Sequence, residues 1–131
     1  MATGNLVTNQ GKLICLNRTF NTIPSYTVVG WFKVGTGTNT PSEGDTGLQT
    51  PVIITGGSDL KLIATATVDE PTLTSTNECV LLTTDANGNY LTEFGLFNND
   101  GTKKCFSRAV YIGITKTASV QVIFTEKDMV A

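Results

Sequence analysis

The sequence predicts a mainly β fold, an antiparallel β-sandwich or barrel-like arrangement of about six or seven strands with at most one short N-terminal helix. Short runs of alternating or β-branched apolar residues recur along the chain, and segments rich in Gly, Pro, Asn and Asp separate them. Charged residues make up only 15% of the chain, so few of the Lys and Glu side chains typical of exposed helices are available.

The size and charge of the chain limit the classes of function. Its 131 residues suit one domain over residues 1–131, with residues 1–5 expected to be flexible. The net charge is −2 and no basic run occurs, so we expect no nucleic-acid partner. No segment is apolar over the roughly 18 residues of a membrane span, and no signal peptide is recognisable. We therefore expect a protein made in a cytoplasm, with no membrane partner.

A short helix is predicted near the N-terminus, over residues 7–19. Thr8 or Asn9 would cap it, because these side chains accept hydrogen bonds from the first backbone N–H groups of a helix. Gly11 lowers the propensity of such a helix by about 1 kcal/mol, and a strand over residues 12–16 is the alternative. The apolar stripe of the helix would consist of Leu13, Ile14, Leu16 and Phe20.

The remaining elements are predicted as strands. Runs with strand character occupy residues 27–34, 60–68, 79–83, 90–97, 103–111 and 119–125, with a shorter β-branched run at 51–55. Asn-Gly and Asp-Gly pairs lie in the turns at 85–89 and 98–101, where they accept the positive φ of hairpin turns. Residues 79–111 should therefore form a meander of three antiparallel strands.

Two loops interrupt this pattern. The first covers residues 35–47 and is rich in Gly, Thr, Pro and Ser, and the second covers residues 69–76 and contains Pro71. A loop as long as the first, inside a compact domain, is typically functional or held by a partner.

The search for catalytic, cofactor-binding and metal-binding residues gives none. The chain has no histidine, which removes the Ser-His-Asp triad, the Cys-His pair and the imidazole zinc sites. Its three cysteines, Cys15, Cys79 and Cys105, form no Cys-x-x-Cys pair, and each is interpreted as a buried small apolar side chain. The sequence therefore predicts a protein that is not an enzyme and has no cofactor.

Polar segments that resemble binding motifs are better explained as turns. The stretch Gly35-Thr36-Gly37-Thr38 lacks the Lys and the following helix of a phosphate-binding loop. The acidic pairs Glu43 with Asp45 and Asp69 with Glu70 are predicted to be solvated loop charges rather than an acid and base pair.

A calcium loop is also a poor fit to the region of the first hairpin turn. The series Asp85, Asn87, Asn89 and Glu93 places Gly88 too early and the glutamate at the ninth position rather than the twelfth. A hairpin turn explains the same residues.

Three segments resemble bacteriophage virion proteins. Residues 31–52 carry a strand that runs into Val-Gly-Thr-Gly-Thr, then Pro-Ser, then Asp-Thr and Leu. Residues 91–102 carry Glu-Phe-Gly-Leu-Phe and Asp-Gly-Thr, followed by Arg-Ala-Val at 108–110, and residues 6–12 carry Leu-Val-Thr-Asn-Gln-Gly-Lys. In this order the segments are similar to phage tail-fibre, collar and baseplate-associated proteins or head decoration proteins, over most of the chain.

This resemblance implies a non-enzymatic structural protein of the virion, made in the host bacterial cytoplasm. It would serve as a fibre base, adaptor or decoration protein that self-associates, most simply as a trimer, and docks on tail, neck or capsid proteins. The residues of its interfaces remain unassigned at this level.

The alternative is a receptor- or carbohydrate-binding β-sandwich at the phage tip. Trp31 and Phe32 are adjacent in a strand, so they point to opposite faces and one of them belongs to the core. Exposed aromatic rings would stack on a sugar, and the candidates are Tyr26, Trp31, Tyr90 and Tyr111.

Overall fold

The computed structural model describes residues 5–99 and 104–129, which form one helix and eight strands. The mainly β prediction is confirmed, because the strands form two antiparallel sheets packed as a sandwich. The elements are β1 (Asn5–Val7), α1 (Asn9–Phe20), β2 (Trp31–Gly35), β3 (Lys61–Leu62), β4 (Thr65–Asp69), β5 (Thr74–Leu81), β6 (Tyr90–Phe97), β7 (Cys105–Thr115) and β8 (Val122–Met129).

The helix α1 is confirmed, and the alternative strand over residues 12–16 is wrong. Thr8 is the N-cap, and its hydroxyl oxygen accepts from the Gly11 N–H at 3.0 Å while donating to the carbonyl of Cys105 at 2.6 Å. Gly11 is required here because a Cβ would collide with the main-chain carbonyl of Phe106 in β7. The close packing of α1 on β7 outweighs the lower helix propensity of glycine.

The predicted apolar stripe of α1 is wrong in most of its residues. Only Ile14 is buried, whereas Leu13, Leu16 and Phe20 are exposed, with Phe20 at 78%. The helix contacts the sheet along the narrow face that contains Gly11 and Ile14, so the rest of its apolar side chains face solvent.

The five-stranded sheet has the order β1-β7-β6-β2-β3. Its central strand β6 pairs with β2 on one side and with β7 on the other, and every residue from Leu91 to Phe97 is buried. Burial of consecutive residues means that both faces of this strand are covered. One face packs on the second sheet, and the other is covered by the loop of residues 36–50.

The three-stranded sheet has the order β4-β5-β8 and packs against the first face of the larger sheet. Cys79 and Leu81 of β5 and Val122 of β8 meet Phe32 and Phe94 of the facing sheet. Aromatic rings extend this core, since Phe94 stacks on Phe124 of β8 with ring centroids 4.9 Å apart. The buried core cluster consists of Phe32, Val34, Ile54, Cys79, Leu81, Ala86, Leu91, Phe94, Leu96 and Val122.

The predicted three-stranded meander is wrong in its first connection. β6 and β7 pair as predicted, but β5 belongs to the other sheet. Within the turn, the Asp85 carboxylate accepts from the Leu82 N–H at 2.9 Å, and the Ala86 N–H donates to the Ile54 carbonyl at 2.8 Å. These bonds fix the connection from β5 in one sheet to β6 in the other, so the Asn-Gly pair lies in a crossover rather than in a hairpin.

The single strand predicted over residues 60–68 is also wrong. The run is divided between β3 in the larger sheet and β4 in the smaller one. The Ile63 N–H donates to the carbonyl of Gly30, just before β2, at 2.9 Å. The Ala64 N–H donates to the carbonyl of Glu78 in β5, also at 2.9 Å, so the chain changes sheets between residues 63 and 64. A continuous apolar run does not reveal a passage from one sheet to the other, because each half of the run fits the pattern of a strand on its own.

Other boundaries differ by a few residues. The predicted loop 69–76 is shorter, because β5 begins at Thr74, and residues 51–55 form only isolated bridges. The strands predicted at 27–34, 103–111 and 119–125 all begin later and end later. Residue 5 pairs with Ala109, while residues 1–4 and part of the turn at 98–101 lie outside the described residues. The flexibility of residues 1–5 therefore stays a prediction.

Candidate functional site

A buried carboxylate fastens the long loop to the second face of the larger sheet. Glu93 of β6 is fully buried, and one carboxylate oxygen accepts from the N–H groups of Gly37 at 2.8 Å and Thr50 at 2.7 Å. The other oxygen accepts from the Gln49 N–H at 2.8 Å and from Nε of Arg108 at 3.0 Å. Both ends of the loop of residues 36–50 are therefore bound to one side chain.

Arg108 of β7 extends this network into the middle of the loop. Its side chain is almost fully buried, and Nη1 donates to the Asp45 carboxylate at 3.2 Å. Nη2 lies 3.0 Å from the Glu93 carboxylate, at an angle too unfavourable for a hydrogen bond. Asp45 in turn accepts from the Ser42 N–H at 2.9 Å. The prediction that Asp45 is a solvated loop charge is therefore wrong.

Two glycines allow the loop to approach the sheet closely. A Cβ at Gly37 would lie 2.5 Å from both the Glu93 carboxylate and the Gln49 side chain, and a Cβ at Gly35 would collide with the Thr50 carbonyl. Thr92 also donates to the Gly37 carbonyl at 2.7 Å. The glycines of the Val-Gly-Thr-Gly-Thr segment therefore serve close packing rather than the binding of a phosphate.

A polar cavity of about 330 Å³ lies between this loop and Arg108. The three ionised groups of the network are Glu93, Asp45 and Arg108, with two negative charges and one positive charge. This balance disfavours an anionic ligand, since the single cation is already held by two carboxylates. The arrangement suits a structural role, in which Arg108 fixes the loop conformation.

A second cavity, which we call the interlayer groove, opens between β7 and β8. It has a volume of about 310 Å³ and is lined mainly by apolar and aromatic side chains. The Tyr111 ring packs on Phe124 with centroids 5.4 Å apart, and burial raises the pKa of Tyr111. Its hydroxyl is buried and accepts or donates no hydrogen bond within the described residues. The lining residues are Phe94, Ala109, Tyr111, Ile114, Phe124, Thr125, Glu126 and Lys127.

Two lysines organise the turn at residues 85–89. Lys61 forms an ion pair with the buried Asp85 carboxylate. Lys116 is buried and donates from Nζ to the side-chain oxygen of Asn87 at 2.8 Å, and burial lowers its pKa. Within the calcium-like series, the side-chain oxygens of Asp85 and Asn87 thus accept from lysines, and Glu93 lies in the separate network under the long loop. In residues 5–99 and 104–129, no cluster of three potential metal-ligating side chains occurs.

The cysteine predictions are confirmed at two positions and wrong at the third. Cys79 and Cys105 are fully buried, whereas Cys15 is exposed on α1, and none of the three forms a disulfide. Burial raises the pKa of Cys79, with a smaller effect from Glu126, and burial raises the pKa of Cys105 to about 12, with a smaller effect from Asp45. The two buried thiols therefore remain protonated at neutral pH and are poor nucleophiles.

The remaining acidic loop residues make local contacts. Glu43 is exposed and pairs with Lys12 at 2.8 Å, and the hydrogen bond from Lys12 lowers its pKa. Asp69 accepts from the Thr72 hydroxyl in the turn after β4, far in sequence from Glu43. Each of these two carboxylates thus has a hydrogen-bond partner of its own.

Of the four aromatic side chains proposed for sugar stacking, Tyr90 is the most exposed. Tyr90 is 56% exposed, whereas Tyr26, Trp31 and Tyr111 are partly buried. Phe32 is the member of the Trp31-Phe32 pair that enters the core, as the alternation of the strand requires.

Sequence reasoning missed the pairing of Glu93 with Arg108. A signal was present, because each is a charged residue inside an otherwise apolar strand, and buried charges are normally paired. No family model matches the chain, and no curated protein or solved structure is significantly similar to it. No helix among the described residues has the length and apolarity needed to cross a membrane.

Proposed function

We propose that the chain is a non-enzymatic structural protein of a bacteriophage particle, a fibre base, adaptor or decoration protein that self-associates and docks on other virion proteins. The observation that carries the proposal is the network around Glu93. It joins two of the three segments that resemble phage virion proteins, because Glu93 and Arg108 of the second segment bind the loop that belongs to the first. The two motifs therefore form one structural unit.

The surface supports self-association. Large apolar side chains are exposed on several elements, and exposed apolar patches commonly mark protein contacts. On α1 they lie three and four residues apart, which places them on one face of the helix. The exposed residues of this face are Leu13, Leu16 and Phe20.

The absence of catalytic function is part of the same proposal. The buried charges Glu93, Arg108 and Asp85 each bind main-chain groups or an opposite charge. Groups engaged in this way stabilise the fold and are not poised to transfer protons. The proposed partners are proteins of the tail, neck or capsid, and the proposed location is the virion.

Electron microscopy of purified particles tests this proposal. Antibodies against the chain, used for immunogold labelling of particles released from cells that express it, should mark one position on the virion. Light scattering of the purified protein should give a mass above that of the monomer, with a trimer expected. The proposal fails if the chain is absent from purified particles and remains in the soluble lysate.

A second candidate is a carbohydrate- or receptor-binding domain, which the exposed ring of Tyr90 favours. The ring packs over Gly113, where a Cβ would collide with it, so one aromatic face is supported while much of the residue remains exposed. A supported ring of this kind suits stacking on a sugar. Binding on a glycan array that is lost in Tyr90→Ala, but not in Tyr26→Ala, would favour this candidate.

A further inference from the structure

We propose that the β4–β5 hairpin tip of one copy, formed by residues 68–73, docks in the interlayer groove of a second copy. The contact would be head-to-tail, with Leu73 and Val68 as apolar anchors and Lys127 of the receiving copy facing the acidic residues of the tip. This inference rests on the self-association in the proposed function, and it identifies the surfaces that carry it.

The hairpin tip exposes a leucine in a costly backbone conformation. Leu73 has a φ of 55° and is 67% exposed, and Val68 of β4, which pairs with Ser75, is 78% exposed. A bulky residue rarely adopts positive φ, because its Cβ approaches the main-chain carbonyl. Asn or Gly would occupy this position more favourably. A leucine held here and directed to solvent is therefore better explained by a contact outside its own chain.

The interlayer groove is open and suited to receive such a side chain. Its volume of about 310 Å³ accommodates branched aliphatic side chains, and Phe94, Phe124 and Ile114 supply apolar walls. Among the described residues, β8 pairs with β5 alone and forms an edge of the smaller sheet. One side of the groove is thus a strand edge, which an incoming segment can approach.

The charges at the two surfaces are complementary. Asp69 and Glu70 adjoin the apolar residues of the tip and are exposed, while Lys127 lines the groove and is exposed. Glu126 also lines the groove, but it is buried, and both of its carboxylate oxygens lie 3.0 Å from the Ser107 hydroxyl. The accessible charge of the groove is therefore the lysine, which favours an acidic and apolar segment.

The tip does not reach the groove of its own chain. Thr76 of β5 pairs with Lys127, and Leu73 lies three residues farther along, about 10 Å away at the usual rise of a strand. The ladder between β5 and β8 holds the tip beyond the groove. Since tip and groove are different surfaces, the contact is heterologous, and repeated contacts close into a ring when the rotation permits. A closed ring is consistent with the cyclic oligomer of the proposed function.

The first experiment compares Leu73→Asn with the wild type by sedimentation equilibrium, between about 1 µM and about 1 mM. Asparagine tolerates positive φ, so the variant should fold with equal or higher thermal stability. Its self-association should be at least tenfold weaker. Leu62→Asn is the matched control, since Leu62 is similarly exposed in β3, and it should associate as the wild type does.

The second experiment mixes two variants that each lack one surface. Ile114→Glu places a carboxylate in the groove, where it repels the acidic tip, so this variant alone should be monomeric. Mixed with Leu73→Asn, it retains an intact tip and meets an intact groove, so the mixture should form a dimer and nothing larger. An interface that involves neither the tip nor the groove would not give this result.

Several results would overturn the inference. If the Leu73→Asn variant associates like the wild type, self-association stands but the hairpin tip is excluded as its interface. An oligomer lost in Phe20→Asn but kept in Leu73→Asn would place the interface on α1. A wild-type chain that is monomeric over the whole concentration range, or a mixture of the two variants that forms no dimer, would exclude the contact. The labelling of particles tests the virion proposal separately.

Discussion

Replacing Glu93 by Gln should destabilise the fold and release the loop of residues 36–50. The side chain keeps its size, but one of its two oxygens becomes an NH₂ group. In either orientation this NH₂ group faces two donors, which are the Gly37 and Thr50 N–H groups on one side or Gln49 N–H and Arg108 on the other. Two hydrogen bonds are lost, and the charge of Arg108 loses its most buried partner.

The magnitude follows from the burial of this pair. Breaking a buried ion pair by removing one charge costs about 3–5 kcal/mol, because the remaining charge is left without compensation. Domains of this size are stable by about 5–15 kcal/mol, so the expected loss is a large part of the total. The cost is this large because Glu93 is fully buried and Arg108 nearly so, which leaves water little access to the remaining charge.

Urea unfolding at neutral pH measures this loss, and amide hydrogen exchange locates it. The free energy of unfolding should fall by about 3–5 kcal/mol, and the Gly37, Gln49 and Thr50 amides should lose their protection. The control is Glu78→Gln on the exposed side of β5, which should change stability by less than about 0.5 kcal/mol. A loss below about 1 kcal/mol in Glu93→Gln would refute the structural role assigned to the carboxylate.

Three further predictions concern packing and thiols. Gly11→Ala should destabilise the protein by about 1–3 kcal/mol in thermal unfolding, despite the higher helix propensity of alanine, because the new Cβ meets a main-chain carbonyl of β7. The control Gly47→Ala should be nearly neutral, since Gly47 has open space around it, and equal effects of the two substitutions would contradict the packing argument. A thiol reagent should modify Cys15 in the native protein and reach Cys79 and Cys105 only on unfolding, so early reaction of all three would exclude the described burial. The free energy of unfolding should fall as the pH rises above 9.0, since the pKa of Cys105 is raised to about 12 in the folded protein and the unfolded chain loses this proton first. In urea titrations Cys105→Ala should reduce this fall by about 1.4 kcal/mol per pH unit, and an unchanged slope would contradict the assigned role of Cys105.

The sequence determined the local features whose causes lie within a few residues. Thr8 followed by an apolar segment predicted the start of α1, because a helix cap acts on neighbouring N–H groups. The alternating residues of β6 gave its bounds, and the Asp-Gly turn predicted its pairing with β7. The mainly β class followed from the same short-range patterns.

The tertiary structure alone decided which strands share a sheet and which charges meet. The Asn-Gly turn at residues 85–89 is equally compatible with a hairpin and with a crossover, and bonds to Leu82 and Ile54 select the crossover. Glu93 and Arg108 are 15 residues apart and Asp45 is 63 residues from Arg108, so no local pattern connects them. Each charge avoids the penalty of burial only through a distant partner, and that partner exists only when the fold has formed.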